Sequence, residues 1–386
     1  MNILNCLWGH QISVLEALAD QEHNIFCQFI SQNGKFGKAT ISFCDVYGLY
    51  QHIKTEKEKE YQLIESTTAV EPLIVRDSCE LFMGEFVEFL KLKDINVILV
   101  SEDVTEIGAI ICEAASRAEI ISIHIPHYQY LGRNIDFTHS VLNADYVFVG
   151  GSETASLFRG WGVKEERIRI TGNPSYDRFF TVLQERSVAR ELIRNKLDLS
   201  SHIVIGFFTT YGKFDKYDRT LFLFFQELIK FERRDKIVVV IKDRPGSINS
   251  WQSFVNNNNA LVSAVKDKVE IRYMTENIEF ILPALDLAIS TLSNVAIDAA
   301  FFSVPQIIWN PFLAEKRGVV ADFWVFSDHQ TSDLELRKTV DELKSGSLGG
   351  PKIDPSAFEA FGIDGNSGRR VCIEMTALCR SSIRNV

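Results

Sequence analysis

The sequence predicts an α/β protein with two domains, each built on a parallel β-sheet that is covered by helices. Short β-branched runs alternate with amphipathic stretches of helical period along the whole chain, which is typical of parallel sheets with helical crossovers. The rhythm restarts in the second half, and 386 residues exceed what one hydrophobic core usually organises. Hydrophobic residues at 46% and charged residues at 24% are ordinary globular values, which excludes disordered, collagen-like and coiled-coil classes.

Each predicted strand is a short run rich in valine and isoleucine. In the first half these runs are 2–7, 24–30, 96–101, 120–125, 146–149 and 168–171. In the second half they are 203–209, 237–242, 269–273, 287–290 and 306–309. Helices are expected between most of them, including one over 106–117 and a terminal one over 368–380. Residues 31–68 are polar and irregular in pattern, and no element is predicted there.

The domain boundary is expected in the TGNP segment, residues 171–174, because glycine, asparagine and proline together interrupt regular structure. The first domain then covers residues 1–172 and the second covers residues 173–367. The last helix, within residues 368–386, is expected to pack back on the first domain.

Composition narrows the partners and the compartment. A formal net charge of −10 argues against broad nucleic-acid binding, because phosphate backbones require a basic surface. The seven cysteines are scattered without a C-x-x-C pair, which favours reduced thiols over disulfides or a zinc site. The first residues lack the features of a signal peptide, and no run approaches the ~20 apolar residues of a membrane span. We therefore expect a cytoplasmic protein with no nucleic-acid partner.

Three loops of the first domain carry candidate catalytic residues, because ligands of open parallel sheets bind at the carboxyl ends of the strands. His10 follows the first strand and is suited to act as a base near neutral pH; a surface histidine in a turn is the alternative. Asp103 follows the third strand, where it would act as a base or accept bonds from sugar hydroxyls, unless it only caps a helix. Of the two histidines near the fourth strand, one is expected in the core, and we favour His127 over His124 as the exposed one.

The second domain has the more specific pattern. The strand at 287–290 ends in small hydroxyl residues and leads into a helix whose free N–H groups would hold phosphate oxygens. The predicted donor-binding residues here are Ser290, Thr291, Ser293, Asn294 and Asp298, the last placed to accept bonds from ribose hydroxyls. The alternative is an ordinary capped helix with a solvated Asp298.

Two cations follow the strand at 237–242. Lys242 and Arg244 reach the same carboxyl edge, where they would grip a phosphate or pyrophosphate. A surface salt-bridge cluster with Asp243 is the alternative.

Several segments resemble known GT-B glycosyltransferases. Residues 144–154 and 161–177 are similar to the end of the first domain and its TGNPxxD linker in these enzymes. Residues 242–245 resemble the K-x-H-P strand end of bacterial surface-polysaccharide transferases, and residues 290–305 resemble their nucleotide-binding helix. Residues 361–370 resemble the DGxxSxR element that precedes their last helix. Two positions depart from the pattern, since Arg244 replaces the usual histidine and His127 stands where many relatives carry a His-Gly pair.

The resemblance implies a GT-B fold, with two Rossmann-like domains whose parallel sheets face each other across a cleft. It extends to CDP-glycerol transferases and UDP-N-acetylglucosamine 2-epimerases. The implied activity is transfer of a sugar or sugar-like group from a nucleotide-activated donor to a surface glycan or glycolipid, with no cofactor and no bound metal. Peripheral contact with the inner face of the membrane would follow from such an acceptor.

Two alternatives to the transferase remain, a nucleotide-sugar 2-epimerase and a non-catalytic nucleotide-sugar-binding subunit. Epimerases typically carry a Ser-Gly-Gly turn where this chain has residues 292–294, Leu-Ser-Asn. That difference favours the transferase.

Overall fold

A computed structural model describes residues 1–7, 12–19, 22–27, 34–62, 70–126, 142–209, 216–243, 250–290, 293, 295–309, 330–331, 334–350, 358 and 360–383. The chain divides into two compact units. The first unit comprises the described residues before Thr181 together with those after Asp354. The second unit comprises the described residues from Thr181 to Asp354.

The strands form one sheet in each unit. Those of the first unit are β1 (Asn2–Cys6), β2 (Asn24–Cys27), β3 (Gly34–Phe36), β4 (Ala39–Phe43), β5 (Val97–Val100), β6 (Ile121–His124), β7 (Tyr146–Val149) and β8 (Ile168–Ile170). Those of the second unit are β9 (Ile203–Phe208), β10 (Ile237–Lys242), β11 (Glu270–Tyr273), β12 (Leu287–Ser290), β13 (Gln306–Trp309) and β14 (Gln330–Thr331).

The described helices follow the strands in chain order. They are α1 (Ile12–Leu18), α2 (Val46–Gln62), α3 (Val70–Leu92), α4 (Glu106–Arg117), α5 (Ser152–Gly160), α6 (Ser175–Gln184), α7 (Arg186–Lys196), α8 (Lys216–Leu228), α9 (Ser250–Asn257), α10 (Asn259–Lys266), α11 (Ile278–Ile281), α12 (Val295–Phe301), α13 (Leu336–Ser345) and α14 (Ser367–Ile383). Among the described residues, no helix combines the length and the apolar character that crossing a membrane requires.

Both sheets are parallel over most of their width. The first runs in the order β3-β4-β2-β1-β5-β6-β7-β8, and β3 pairs with β4 in the antiparallel direction. The second runs in the order β11-β10-β9-β12-β13-β14, and its described strand pairs are parallel. The chain order therefore reverses between β9 and β12, which is a topological switch point of the kind where ligands bind in such sheets.

Helices pack against both sheets through their apolar residues. In the first unit, Val371 and Met375 of α14 are fully buried in the same core as Val14 of α1 and Ile3 of β1. In the second unit, α8 contributes a group of buried phenylalanines to the core that contains Ile241 of β10.

Every strand predicted from the valine and isoleucine runs is present, and most bounds agree within one to three residues. The helix predicted over 106–117 is α4, and it begins where predicted because the Thr105 hydroxyl caps it by accepting the Gly108 N–H at 3.2 Å. The unassigned residues 31–68 contain β3, β4 and the whole of α2.

The TGNP segment lies inside the first unit, and the division between the units falls after Phe180. Thr171 and Asn173 are buried, and the Arg370 Nε donates to the Thr171 carbonyl at 2.6 Å. Gly172 has a φ of +82°, and a Cβ there would lie 2.2 Å from the Ser367 Oγ. This segment is therefore packed against the start of α14.

All seven cysteines lie within the described residues, and none of them forms a disulfide bond, in agreement with their scattered spacing. Burial raises the pKa of Cys27 and of Cys44 to about 11, so both thiols stay protonated at neutral pH. They are structural residues of the first unit.

Candidate functional site

The carboxyl edge of the second sheet brings together two of the predicted donor-binding residues. Lys242 ends β10 and Ser290 ends β12, and both pair in register with Phe208, the last residue of β9 between them. Because in-register residues of parallel strands point to the same side of the sheet, their side chains share one face. Two strand spacings separate their Cα atoms, which is about 10 Å. They flank the switch point between β9 and β12.

Lys242 is a half-buried cation with acidic neighbours. Burial lowers the pKa of its ammonium group, and the carboxylates of Glu276, Asp243 and Glu279 offset part of that effect. A partly desolvated ammonium group interacts strongly with an anion that reaches it. The position therefore suits contact with a phosphate group.

A chain of hydrogen bonds follows the same edge from β9 to β11. The Thr209 hydroxyl donates to Asp243 Oδ1 at 2.9 Å, and the Tyr273 hydroxyl donates to Asp243 Oδ2 at 3.3 Å. Thr209 and Asp243 are buried, whereas Tyr273 is exposed. The Asp243 carboxylate thus connects the ends of β9 and β11 through these two hydrogen bonds.

Ser293 and Asp298 belong to the turn and helix after β12. The Val295 N–H donates to the Ser293 Oγ at 3.4 Å, and the Ala296 N–H donates to the Ser293 carbonyl at 3.0 Å, so Ser293 contacts the first turn of α12. Asp298 is only 9% exposed. Asp298 is therefore not the solvated residue that the alternative of an ordinary capped helix requires. The donor-binding roles of both residues stay predictions.

In the first unit, Asp103 is buried with an exposed fraction of 2%. Its Oδ2 accepts the backbone N–H groups of Asn143 at 2.7 Å and Ala144 at 3.1 Å, and its carbonyl accepts the Asn143 side-chain amide at 2.7 Å. Capping of α4 falls to Thr105 alone. Asp103 therefore joins the loop after β5 to the residues before β7, and its role as a base stays a prediction.

His124 ends β6 and is buried, as expected for a core histidine. Its Nδ1 lies 3.6 Å from Asp103 Oδ1, which is too long for a strong hydrogen bond but close enough for attraction if the ring is protonated. Asp103 and His124 thus form a buried pair that the sequence did not predict.

Five predicted site residues lie outside the described residues. They are His10, His127, Arg244, Thr291 and Asn294. Their assigned roles stay predictions.

Sequence reasoning missed the edge residues Thr209, Asp243 and Tyr273 as a connected group. Each stands at or just after the end of a predicted strand, so the same rule that selected Lys242 would have selected them. Their hydrogen bonds join three different strands, and no sequence spacing encodes that pairing.

The two motif segments at the start of α6 and α14 bind each other. Asp177 Oδ1 and Oδ2 accept the backbone N–H groups of Ser367 at 2.9 Å and Gly368 at 2.8 Å. Arg370 donates to both Asp364 carboxylate oxygens at 2.6 Å and 3.0 Å, and these bonds hold the pKa of that carboxyl below its usual range. These hydrogen bonds join the TGNPxxD element, residues 171–177, to the DGxxSxR element, residues 364–370, within the first unit.

The model of the CDP-glycerol:poly(glycerophosphate) glycerophosphotransferase family matches residues 125–372, which is more than half of the chain. The chain belongs to this family. A search of curated protein sequences finds no match. The matched range of this glycerophosphotransferase-family chain includes the TGNP segment, β9 to β13 and the DGxxSxR element.

Solved structures similar to this family member include a wall teichoic acid polymerase, TagF, at 13% identity and a TM-score of 0.59, covering 99% of this chain and 90% of that chain. A UDP-GlcNAc 2-epimerase from Neisseria meningitidis bound to UDP-GlcNAc has 11% identity and a TM-score of 0.59, covering 98% and 100%. The enzyme of the same name from Methanocaldococcus jannaschii has 15% identity and a TM-score of 0.57, covering 98% and 100%. At these identities the likeness concerns the fold, and it confirms the predicted α/β class of the GT-B type with two parallel sheets.

Proposed function

We propose that this protein transfers a glycerol phosphate or sugar group from a nucleotide-activated donor to a surface glycan or glycolipid acceptor. The observation that carries the proposal is the family match over residues 125–372, which includes the carboxyl edge of the second sheet. The family is described by its use of CDP-glycerol, so a CDP-activated donor is the first to test.

The donor is proposed to bind at the carboxyl edge of the second sheet. Lys242 supplies a partly desolvated cation, and Ser290 and Ser293 lie around the turn into α12. Arg244, Thr291 and Asn294 follow the same two strands in the sequence, and Asp298 is proposed to contact the ribose. Cations and backbone dipoles that face a leaving phosphate stabilise its developing charge, so the reaction is proposed to need no metal ion.

The general base is proposed to be His10, with His127 as a second residue on the acceptor side. An attacking hydroxyl loses its proton as the bond to the donor breaks, and a positioned base accelerates such a step by roughly 10²–10⁴-fold. Histidine has the appropriate pKa near neutral pH. Asp103 is the weaker candidate because its buried carboxylate already accepts two backbone N–H groups.

Turnover of a panel of CDP-, UDP-, GDP- and CMP-activated donors tests the proposal. A transferase releases nucleotide from one donor mainly when a glycan or glycolipid acceptor is present, and chelation of metal ions leaves its rate unchanged. An epimerase converts a UDP-sugar without acceptor, and a binding subunit consumes none of the donors. Either of the last two results would refute the transferase.

We also propose that the protein contacts the inner face of the membrane peripherally, because a glycolipid acceptor would lie there. This contact needs a test of its own. Co-sedimentation with vesicles made from the host's lipids should retain the protein if peripheral contact exists. Recovery of all the protein in the supernatant, with and without acceptor lipid, would contradict that contact.

A further inference from the structure

Tyr273 is the last residue of the edge strand β11, and 41% of its surface is exposed. It is in register with Ile241 of the neighbouring strand β10, so its side chain points to the same face of the sheet as Asp243 and to the face opposite Lys242. Its ring therefore lies at the same edge as the proposed donor site and beside Asp243. A tyrosine ring at this position presents an apolar face and a polar hydroxyl, and its exposed part is available to stack on another ring.

Two contacts fix the orientation of this ring. The indole of Trp251 lies parallel to it, with ring centroids 6.0 Å apart and an interplanar angle of 4°. The Tyr273 hydroxyl donates to Asp243 Oδ2 at 3.3 Å, and Asp243 also accepts the Thr209 hydroxyl. The ring is held at its hydroxyl end by the sheet edge and along its plane by α9.

Trp251 is itself anchored in the core of the second unit. It stacks on Phe254 with centroids 6.1 Å apart, and it contacts Phe225 at 6.0 Å. Phe225 and Phe254 are fully buried. Tyr273 is thus the exposed end of a stack of rings that begins in the core. Because its side chain is already held in place, it loses little conformational entropy when a ligand ring stacks on it.

We propose that Tyr273 is the stacking platform for the nucleobase of the donor. Every nucleobase has an apolar π-face that stacks on aromatic side chains. Asp243 lies beside the platform, and Lys242 precedes it at the carboxyl end of β10 on the opposite face of the sheet, so a donor that crosses this edge would place its base on Tyr273 and its phosphates near Lys242. The inference rests on the proposed function, because it names the part of that site that recognises the base.

The test compares CMP with ribose 5-phosphate, which lacks the base, by titration calorimetry. Tyr273→Leu removes the π-face and keeps an apolar side chain, so CMP affinity should fall by about 5- to 100-fold. Ribose 5-phosphate affinity should not change. Tyr273→Phe keeps the ring and loses only the bond to Asp243, so it should bind CMP within about threefold of wild type.

Phe280→Leu is the matched control, because Phe280 is 50% exposed on α11 in the same unit. It should bind CMP like the wild type. Equal CMP affinity of wild type and Tyr273→Leu would overturn the platform and leave the transferase intact. Loss of ribose 5-phosphate binding in Tyr273→Leu, or a loss of CMP affinity in Tyr273→Phe as large as in Tyr273→Leu, would also overturn it. A wild type that binds no nucleotide would contradict both the platform and the proposed function.

Discussion

Asp177 caps a helix that begins 190 residues later in the chain, since its two carboxylate oxygens accept the N–H groups of Ser367 and Gly368. These groups belong to the first turn of α14, where backbone N–H groups lack partners within the helix. A carboxylate at this end also interacts favourably with the helix dipole. The last aspartate of the TGNPxxD element therefore attaches the terminal helix to the first unit.

Removal of this cap should destabilise the first unit. Asp177→Ala leaves two N–H groups without their acceptor, next to the fully buried Ser367, and we expect a loss of about 1–3 kcal/mol in the free energy of unfolding. Hydrogen exchange should increase first at residues 367–370. Glu185→Ala is the control, because Glu185 stands at the N-terminus of α7 without a capping hydrogen bond. Equal exchange rates at residues 367–370 in both variants would argue against this capping role of Asp177.

Gly172 should not tolerate a side chain. Its φ of +82° disfavours other residues, and an added Cβ would lie 2.6 Å from an Arg370 guanidinium nitrogen. We expect Gly172→Ala to lower the thermal midpoint, with a cost above about 1 kcal/mol. Gly84→Ala, at an exposed and open position within α3, should instead stabilise by about 0.5–1 kcal/mol. A neutral Gly172→Ala would show that the backbone there adapts.

Lys242 should make donor binding dependent on pH in the alkaline range. Burial lowers its pKa, so the ammonium loses its proton at a lower pH than an exposed lysine does. Affinity for CDP-glycerol should therefore fall as pH rises through that lowered pKa, and Lys242→Arg should keep its affinity over the same range. Lys266→Arg, at an exposed position of α10, is the control and should follow the wild type. A Lys242→Arg profile identical to the wild-type profile would remove Lys242 from the site.

The pKa of Lys242 also has a consequence for stability. Because the folded-state pKa is lower than that of the unfolded chain, the charged form is disfavoured in the folded protein. The free energy of unfolding of the unliganded protein should rise as pH increases from the lowered pKa toward the ordinary lysine pKa. Lys242→Met should lose this rise, as measured by urea unfolding across that range.

Asp103 should behave as a structural residue. Asp103→Asn loses the charge that two backbone N–H groups address, and we expect a cost of about 1.5–3 kcal/mol in the free energy of unfolding. Asp198→Asn is the control, since Asp198 is exposed at a φ of 52°, where asparagine is well tolerated. Unchanged stability with a large loss of turnover would instead assign Asp103 to catalysis.

The fold was predictable because its signal is local. Runs such as residues 237–242, which are apolar apart from Lys242, predict buried parallel strands, and Thr105 marks the start of α4. The region 31–68 gave no such signal, because β3 is three residues long and α2 is rich in lysine and glutamate. Long-range pairing with β2 and packing of Tyr50 define those elements, and neither can be read from their own residues.

The candidate site was predictable only where the residue type and its position at a strand end point to one role. Lys242 was identified from its charge and its position at a strand end, in the same carboxyl-end region as Ser290, whereas the register of these two residues was not predicted. Asp103 was ambiguous because its partners, Asn143 and Ala144, lie 40 residues away. Asp177 was assigned to a linker motif, although its partners lie at the other end of the sequence.

Calorimetric titration of the preferred nucleotide-activated donor into Asp298→Ala and Arg244→Ala tests the account most directly. Loss of one charge-assisted contact costs about 1.5–3 kcal/mol, so each variant should bind about 10- to 100-fold more weakly than the wild type. Asp267→Ala, beyond the end of α10, should bind normally. Unchanged affinity in both Asp298→Ala and Arg244→Ala, with thermal midpoints equal to the wild type, would contradict a donor site at the carboxyl edge of the second sheet.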